Sequence, residues 1–540
     1  MTVGWTPYLL LSGLSLALFL PGIGAIPPID RDEARFAQAS RQMLESGDYV
    51  RIQFQTEVRA KKPVGIYWLQ AAAVSLTGDP GAIWAYRLPS VIGGVAAVLL
   101  TFFFGRTLVG GPAALIGAAL LASSVLLVSE AHQAKTDAVL LACVVAAQGV
   151  LGRFYLAGRG AAARPGNGVI LAFWLAQGLG ILVKGPIVPL ISLLTIVTLW
   201  IADRRIGWLT GIRPVVGLIL VAAMVGPWAA AVSTATQGQF LGQAIRGDLI
   251  PKLLGAQESH GAPPGTYLLL MTATLWPAAL FAVPGLVRAI ALRHAPAVRF
   301  CLAWIVPAWL LFEAVPTKLP HYVLPTYPVL ALLAGLAVAA EDGWLQRRWV
   351  RPYALLCGLA ATALAAALVI APRRWGNGDG AWWWFLPPAL VALAAGWAPV
   401  AALWRNRPQA AWPLAVAAAV LTYGAVFAVV LPRLDRLWIS RTVAQCLPAG
   451  TPLAAAGFHE PSLVFLMGTT TKLTDGAGAA QFLAETPDAA ALVEQAAEPD
   501  FAAALATLGR SAQVIASFDG FNYSRGHAAR LSLWRLDGPP

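Results

Sequence analysis

Between Ile29 and Trp68 the sequence crowds acids and bases together: Asp30, Arg31, Asp32, Glu33, Arg35, Arg41, Glu45, Asp48, Arg51, Glu57, Arg59, Lys61 and Lys62. Asp32 and Glu33 have two possible roles. They can cap and solvate the start of a helix, or they can hold a carboxylate near the bilayer as a general base or electrostatic partner. Arg35 follows Asp32 on the same helical face, so a carboxylate and a phosphate-binding guanidinium can share one site. Lys61-Lys62-Pro63 also has two roles. One is attraction to anionic lipid, worth about 1 kcal/mol per basic residue. The other is a grip on phosphate beside a helix start, whose N–H groups favour anions.

The same residue types recur at the ends of apolar runs. His132, Lys135 and Asp137 stand where the third run meets the fourth, and Lys184 lies between two runs in Val-Lys-Gly-Pro. Glu313 and Lys318 bracket another such place, followed by Pro320, His321 and Tyr322. An acid inside a span is costly unless it is paired or faces a cavity, and Lys318 is the nearest partner in sequence for Glu313. Lys184 can snorkel to the outer surface or face a pocket. Glu258, Ser259 and His260 precede Pro263-Pro264 in the largest connection after the first. Glu258, His260, His321 and the aspartates make a metal site conceivable, but no His-Glu-x-x-His or comparable spacing is present, so no cofactor is required and metal dependence stays open. Together these groups predict one outward-facing cavity, lined with cations, suited to a phosphorylated lipid whose tail stays in the bilayer.

The elements that must position these residues are mostly membrane helices. Of 540 residues 58% are hydrophobic and only 12% charged, too apolar a balance for a soluble chain of this length. Roughly thirteen runs approach the ~20 residues a helical crossing needs, near 6–26, 86–109, 111–129, 136–157, 167–183, 186–202, 213–233, 265–291, 298–316, 321–340, 350–371, 384–404 and 409–431. They lack the alternation of a barrel wall, and the first, with no small-residue cleavage site, is expected to be retained. The net charge of +12 is not gathered into a nucleic-acid patch. Arg106, then Arg153, Arg159 and Arg164, then Arg204, Arg205 and Arg213, then Arg288, Arg293 and Arg299, then Arg347, Arg348 and Arg351, then Arg405 and Arg407 fall in every second connection. That bias puts those connections and the N-terminus in the cytoplasm, and the polar segments and the C-terminal tail outside; Arg373 and Arg374 break the pattern. Cys143, Cys301, Cys357 and Cys446 form no disulfide framework.

The chain is expected to divide into a transmembrane unit over 1–435, with its first outer segment at 27–86, and a soluble α/β unit over 440–540. In the first segment Asp30 and Asp32 are expected to cap a helix that Ser46-Gly47-Asp48 ends, and a second, interfacial helix starts at Pro63 and runs to about Leu76. In the tail Thr451–Phe458, Ala512–Phe518 and Ala529–Leu536 read as strands. Pro461–Met467, Ala479–Glu485 and Pro499–Leu508 read as helices. No internal repeat of the kind many transporters carry is present.

Asp32-Glu33-Ala34-Arg35-Phe36, Arg41-Gln42-Met43-Leu44, Ser46-Gly47-Asp48-Tyr49 and Lys62-Pro63 with Tyr67-Trp68 resemble the first periplasmic loop of bacterial lipid A aminoarabinose transferases. These enzymes belong to the polyprenyl-phosphate-dependent membrane glycosyltransferases of the GT-C fold, a group that includes protein O-mannosyltransferases. The Lys184-Gly185 turn, Lys318-Leu319-Pro320-x-Tyr322-x-Leu324-Pro325 and Gly457-Phe458-x-Glu460-Pro461-Ser462 extend the likeness over most of the chain. The resemblance implies an integral inner-membrane protein of about thirteen helices with a periplasmic C-terminal domain. It implies inverting transfer of a sugar from undecaprenyl phosphate to lipid A or another envelope glycan. By motif position Asp32 is the catalytic carboxylate, with Glu33 beside it as a further candidate, and Asp137 is a second acid near the reacting sugar or acceptor. Arg35, Lys62 and Tyr322 bind the carrier phosphate, Lys184 and Lys318 line the same cavity, and His260 and His321 are further substrate-binding candidates. The motif departs from that family at Arg31, where it has Pro, at Lys61, where it has an acid, and at His321, where a small hydroxyl residue is common. A hexose or uronic-acid donor, a protein or surface-polysaccharide acceptor, and a lipid or solute transporter are the competing readings.

Overall fold

In the computed structural model, which describes residues 4–59, 61–243, 261–376 and 381–537, the apolar runs fold as a multi-pass helical membrane protein. Among the described residues nine helices are long and apolar enough to cross a bilayer. The ones that carry the site are α4 (Ile83–Val109), α7 (Asp137–Gly158), α8 (Asn167–Lys184) and the span Pro320–Ala339, which opens with a 3-10 stretch, Pro320–Thr326. The expected thirteen full-length runs are shortened in places. The third is a pair, α5 (Gly111–Ala122) and α6 (Val125–Ala131), bent by 59°. Ser123 and Ser124 turn their hydroxyls back onto the carbonyls of Leu120 and Leu121 at that bend. Helix α1 (Thr6–Phe19), Ile187–Asp203 and Ala279–Ala291 are shorter apolar helices. The run ending at Ala291 is interrupted at Trp276-Pro277, where proline supplies no N–H to the helical ladder.

Small residues bring the spans together. A Cβ on Gly93 of α4 would lie 2.7 Å from the Val139 Cα of α7, and one on Gly335 would lie 2.1 Å from the Ala113 carbonyl oxygen of α5. At these points backbone meets backbone, and the ends of the helices are fixed relative to one another.

The first outer segment contains α2 (Asp32–Ser46), a short hairpin of β1 (Gln53–Phe54) with β2 (Glu57–Val58), and α3 (Gly65–Thr77). Gly47 and Gly78, with φ of 71° and 75°, end the two helices in the left-handed region that glycine enters without penalty. Phe36, Ala39 and Met43 of α2 pack on Val64, Ile66 and Tyr67 of the α3 start, and Leu182 of α8 and Trp228 close the cluster. The expected capping by Asp30 and Asp32 is not what starts α2. No side chain bonds its first N–H groups, because the Asp30 carboxylate is taken by Ser462.

After the last span the chain builds a five-stranded sheet of order β4-β3-β5-β7-β6, from β3 (Leu453–Ala456), β4 (Lys472–Thr474), β5 (Ala490–Glu494), β6 (Ala512–Asn522) and β7 (His527–Leu536). The first three listed in spatial order are parallel, and β7 and β6 close the sheet antiparallel. Leu453 and Ala455 face one apolar layer with Ile439, Val443 and Leu463, while Ala454 and Ala456 face another with Leu483 and Phe501. The alternation is that of a strand buried on both faces.

Candidate functional site

The segment ahead of α2 is pinned residue by residue. Glu33 is 1% exposed, and its carboxylate is bidentate to Arg87 of α4, with Nε to Oε1 at 2.8 Å and Nη2 to Oε2 at 2.9 Å. The same two oxygens accept the N–H groups of Ala134 and Ile29, each at 2.8 Å. Arg87 goes on to the carbonyls of Ile23, Ile26 and Pro27. The sequence reading placed Glu33 beside Asp32 as a further catalytic candidate. Its oxygens are instead spent on these four bonds, so it anchors the segment and does not face the cavity. The Asp32 side chain, one residue earlier, is 56% exposed, and its nearest ion partner is Arg59 at 4.0 Å. Arg59 is fixed in turn, with its guanidinium over the Phe36 ring at 5.1 Å and Nε 3.3 Å from the Tyr67 hydroxyl. Burial pushes the Tyr67 phenol above its ordinary value, against the pull of Arg59.

Opposite this segment, the ends of α6, α7, α8 and the Pro320–Ala339 span supply a charged cluster. Lys184, the last residue of α8, donates to Asp137 Oδ1 at 2.5 Å. Lys135 lies 3.2 Å from Glu130, and His321 stands 3.8 Å from Glu130 and 4.0 Å from Asp137. The Lys184 ammonium sits 5.8 Å from the Tyr322 ring centre. Burial works against the charge on Lys135, but Glu130, Asp137 and Asp32 outweigh it and hold the amine above its ordinary value. The charge of Asp32 therefore reaches Lys135, and the charge of Lys62 likewise acts on His321. Groups more than a hundred residues apart in sequence thus meet at one place.

Arg35 looks onto the neighbouring cleft of about 470 Å³, shared with Arg59, Lys61, Glu57 and His459. Lys318 occupies a separate station. Its ammonium donates to the carbonyls of Glu313 and Val315 at 2.7 and 2.8 Å and lies 5.5 Å from the Tyr267 ring. Glu313, the partner expected from sequence, is 4.0 Å away and accepts the N–H groups of Gly265 and Leu268. His260, with Glu258, lies outside the described residues. Among those described, no three His, Cys, Asp or Glu side chains are grouped to hold a metal ion. Sequence reasoning noted Lys135 beside Asp137 without giving it a role, and did not single out Glu130 or Arg59 as site residues. The signal for Glu130 was available, since an acid and a lysine five apart within apolar sequence require each other.

A half-exposed carboxylate facing several cations is equipped to act on an electrophilic carbon while an anionic group departs. Comparison with known proteins points the same way. The dolichyl-phosphate-mannose-protein mannosyltransferase family matches residues 23–236. Undecaprenyl phosphate-alpha-4-amino-4-deoxy-L-arabinose arabinosyl transferase of Pseudomonas paraeruginosa is 30% identical over 412 residues, 76% of this chain and 72% of the relative. Its counterpart in Edwardsiella ictaluri is 30% identical over 386 residues, 69% of this chain and 66% of the relative, slightly under two thirds of its length. In fold the chain is similar to the crystal structure of ArnT from Cupriavidus metallidurans bound to undecaprenyl phosphate, with TM-score 0.74, 98% of each chain covered and 18% identity.

Proposed function

From the premise that the chain belongs to the undecaprenyl phosphate-alpha-4-amino-4-deoxy-L-arabinose arabinosyl transferases, we propose that it moves aminoarabinose from undecaprenyl phosphate to lipid A at the periplasmic face of the inner membrane. The chain is a polyprenyl-phosphate-sugar-dependent glycosyltransferase. The observation that supports the site assignment is the cluster at the helix mouths, where Lys184 pairs with Asp137, Lys135 with Glu130, and His321 stands within 4.0 Å of both acids, with Asp32 and Lys62 of the first outer segment acting on it electrostatically.

In this reading the leaving group is the phosphate of the lipid carrier. Lys62, Arg35 and Lys184, with Tyr322 and His321, hold it and stabilise the charge that grows on its oxygens as the bond to the anomeric carbon breaks. Asp137 keeps Lys184 aimed at that place. An ionised phosphate acceptor has no proton to lose, so Asp32 then works by orienting the reactants and stabilising the oxocarbenium-like carbon. With a hydroxyl acceptor its carboxylate takes the proton. A single displacement inverts the anomeric carbon. The polar side of the molecule is periplasmic, as are the C-terminal domain and the mouth of the site, and the N-terminus is cytoplasmic. The shorter apolar helices and the bent pair join the nine long ones to make thirteen membrane segments.

The test is turnover by an Asp32→Asn variant in proteoliposomes holding a radiolabelled carrier-linked sugar and lipid A. Carrier binding should be retained, and release of free undecaprenyl phosphate should fall by about a hundredfold or more. Wild-type turnover in that variant would refute the assignment of Asp32.

A further inference from the structure

The segment that presents Asp32 is gripped from a second side by contacts that the chemistry above does not use. Asp30 Oδ1 accepts the Ser462 N–H at 2.7 Å, and Oδ2 accepts the Ser462 hydroxyl at 2.6 Å. The Asp30 N–H donates to the Tyr523 hydroxyl oxygen at 2.7 Å. With its proton given to Asp30, the Ser462 hydroxyl oxygen is free to accept from Ser440, 2.6 Å away. The next residue, Arg31, lies 3.6 Å from Glu460, which Asn522 holds at 2.9 Å. Both strand β6 and the helix Pro461–Met467 of the C-terminal domain therefore end on residues 30 and 31.

Asp32 follows directly and Glu33 is locked to α4, so the exposed carboxylate is suspended between two anchors belonging to different parts of the molecule. We propose that the C-terminal domain is a positioning element of the transfer reaction: through Ser462 and Tyr523 it fixes Asp30, and so fixes the direction in which Asp32 faces the reacting carbon. Asp30 is then a positioning residue that touches neither carrier nor sugar. The proposal rests on the assignment of Asp32 above.

The experiment uses the full-length protein in proteoliposomes and reads kcat, KM for the carrier-linked sugar and the thermal inactivation midpoint for Asp30→Ala, Asp30→Asn, Ser462→Ala and Asp32→Asn. Displacing a reacting group by about 1 Å can cost about a hundredfold. Asp30→Ala should accordingly lower kcat about ten- to a hundredfold while KM stays within about twofold. In Asp30→Asn the amide oxygen still accepts the Ser462 N–H and the amide N–H2 donates to the hydroxyl, so kcat should recover to within about threefold of wild type. Ser462→Ala, which keeps the backbone bond, should fall between these two and carries the test if Asp30→Ala does not accumulate. Wild-type kcat in Asp30→Ala or Ser462→Ala, with Asp32→Asn inactive, would overturn the positioning role and leave the Asp32 assignment standing. Equal losses in Asp30→Ala and Asp30→Asn with a lowered midpoint would also overturn it, making Asp30 a stabilising residue only. A fully active Asp32→Asn would instead remove the premise.

Discussion

Asp30, Asp32 and Glu33 are three acids within four positions, and their surroundings give them three different tasks. Glu33 has all its oxygens bonded by Arg87 and two backbone N–H groups, whereas the Asp32 side chain is exposed beside Arg59. For Asp30, burial pushes the carboxyl up to about 7; the Ser462 bonds and Arg35 oppose the shift and Glu460 adds to it. The Tyr523 hydroxyl of the C-terminal domain also accepts the Asp30 backbone N–H, and the neighbouring Glu460 is paired with Arg31 and Arg525. The ordinary value for the Asp30 carboxyl is 3.8, so the docked state binds more protons than the undocked state between about pH 4 and pH 7. Docking of the C-terminal domain is therefore firmest at acid pH. It should weaken as pH rises to about 7 and level off above that. Protection factors from hydrogen exchange at residues 462–467, corrected for the intrinsic pH dependence of exchange and measured from pH 5 to pH 8, should show this fall in the wild type. Asp30→Asn, which mimics the protonated acid, should be flat, and an identical slope in the two proteins would refute the linkage.

At the scale of elements, much was legible because the signals were local. Gly47 and Gly78 close α2 and α3 where glycine follows an apolar face, and Pro461–Met467 appears with the bounds its sequence predicts. What was missed depended on partners far away. Strand β5 is Ala-Ala-Leu-Val-Glu, an alanine-rich run with no clear period of two, and it is a strand because β3 and β7 flank it. The two-residue strands β1 and β2 have too little length for any pattern. Glu33 was misread because Arg87 lies fifty-four positions on, at the mouth of a span. Lys62 and Lys184 both act electrostatically on His321, and the helices beside them meet through one contact of this long-range kind. A Cβ on Gly65 of α3 would lie 2.8 Å from the Leu182 backbone of α8, and the two lysines flank those positions in sequence. Gly65→Ala should force the helices apart, costing about 1–3 kcal/mol as overpacking does, and should slow transfer as Lys62 and Lys184 separate. Gly13→Ala on α1 has nothing within 4 Å of its new methyl and should be neutral or slightly stabilising. The check is the thermal inactivation midpoint and transfer rate of both variants. A Gly65→Ala protein that matches Gly13→Ala in both would rule out the contact as a determinant.

Across the whole molecule, charge and helix length together set which face does the work. Helix α7 runs for 22 residues from Asp137 in the site to Gly158, about 32 Å away at 1.5 Å per residue. At that far end Arg159 and Arg299 both bind Asp203, which ties three separate connections of the chain to one surface. Those connections carry the arginine excess that was legible in the sequence, and such an excess faces the cytoplasm. In the proposed orientation the site and the sheet domain docked on it open to the periplasm. Native cysteines can report this without any substitution. Cys143, Cys301 and Cys357 are buried, and Cys446, at the end of the helix Ile439–Cys446 that follows the last span, is exposed. A membrane-impermeant maleimide added to intact spheroplasts should therefore modify the protein at Cys446, as located by peptide mass spectrometry, and detergent should add little to the yield. If Cys446 reacted only after the membrane was opened, the arginine face would be outside. The carrier site would then face the cytoplasm, and the proposed direction of transfer would be wrong even with every contact around Asp32 intact.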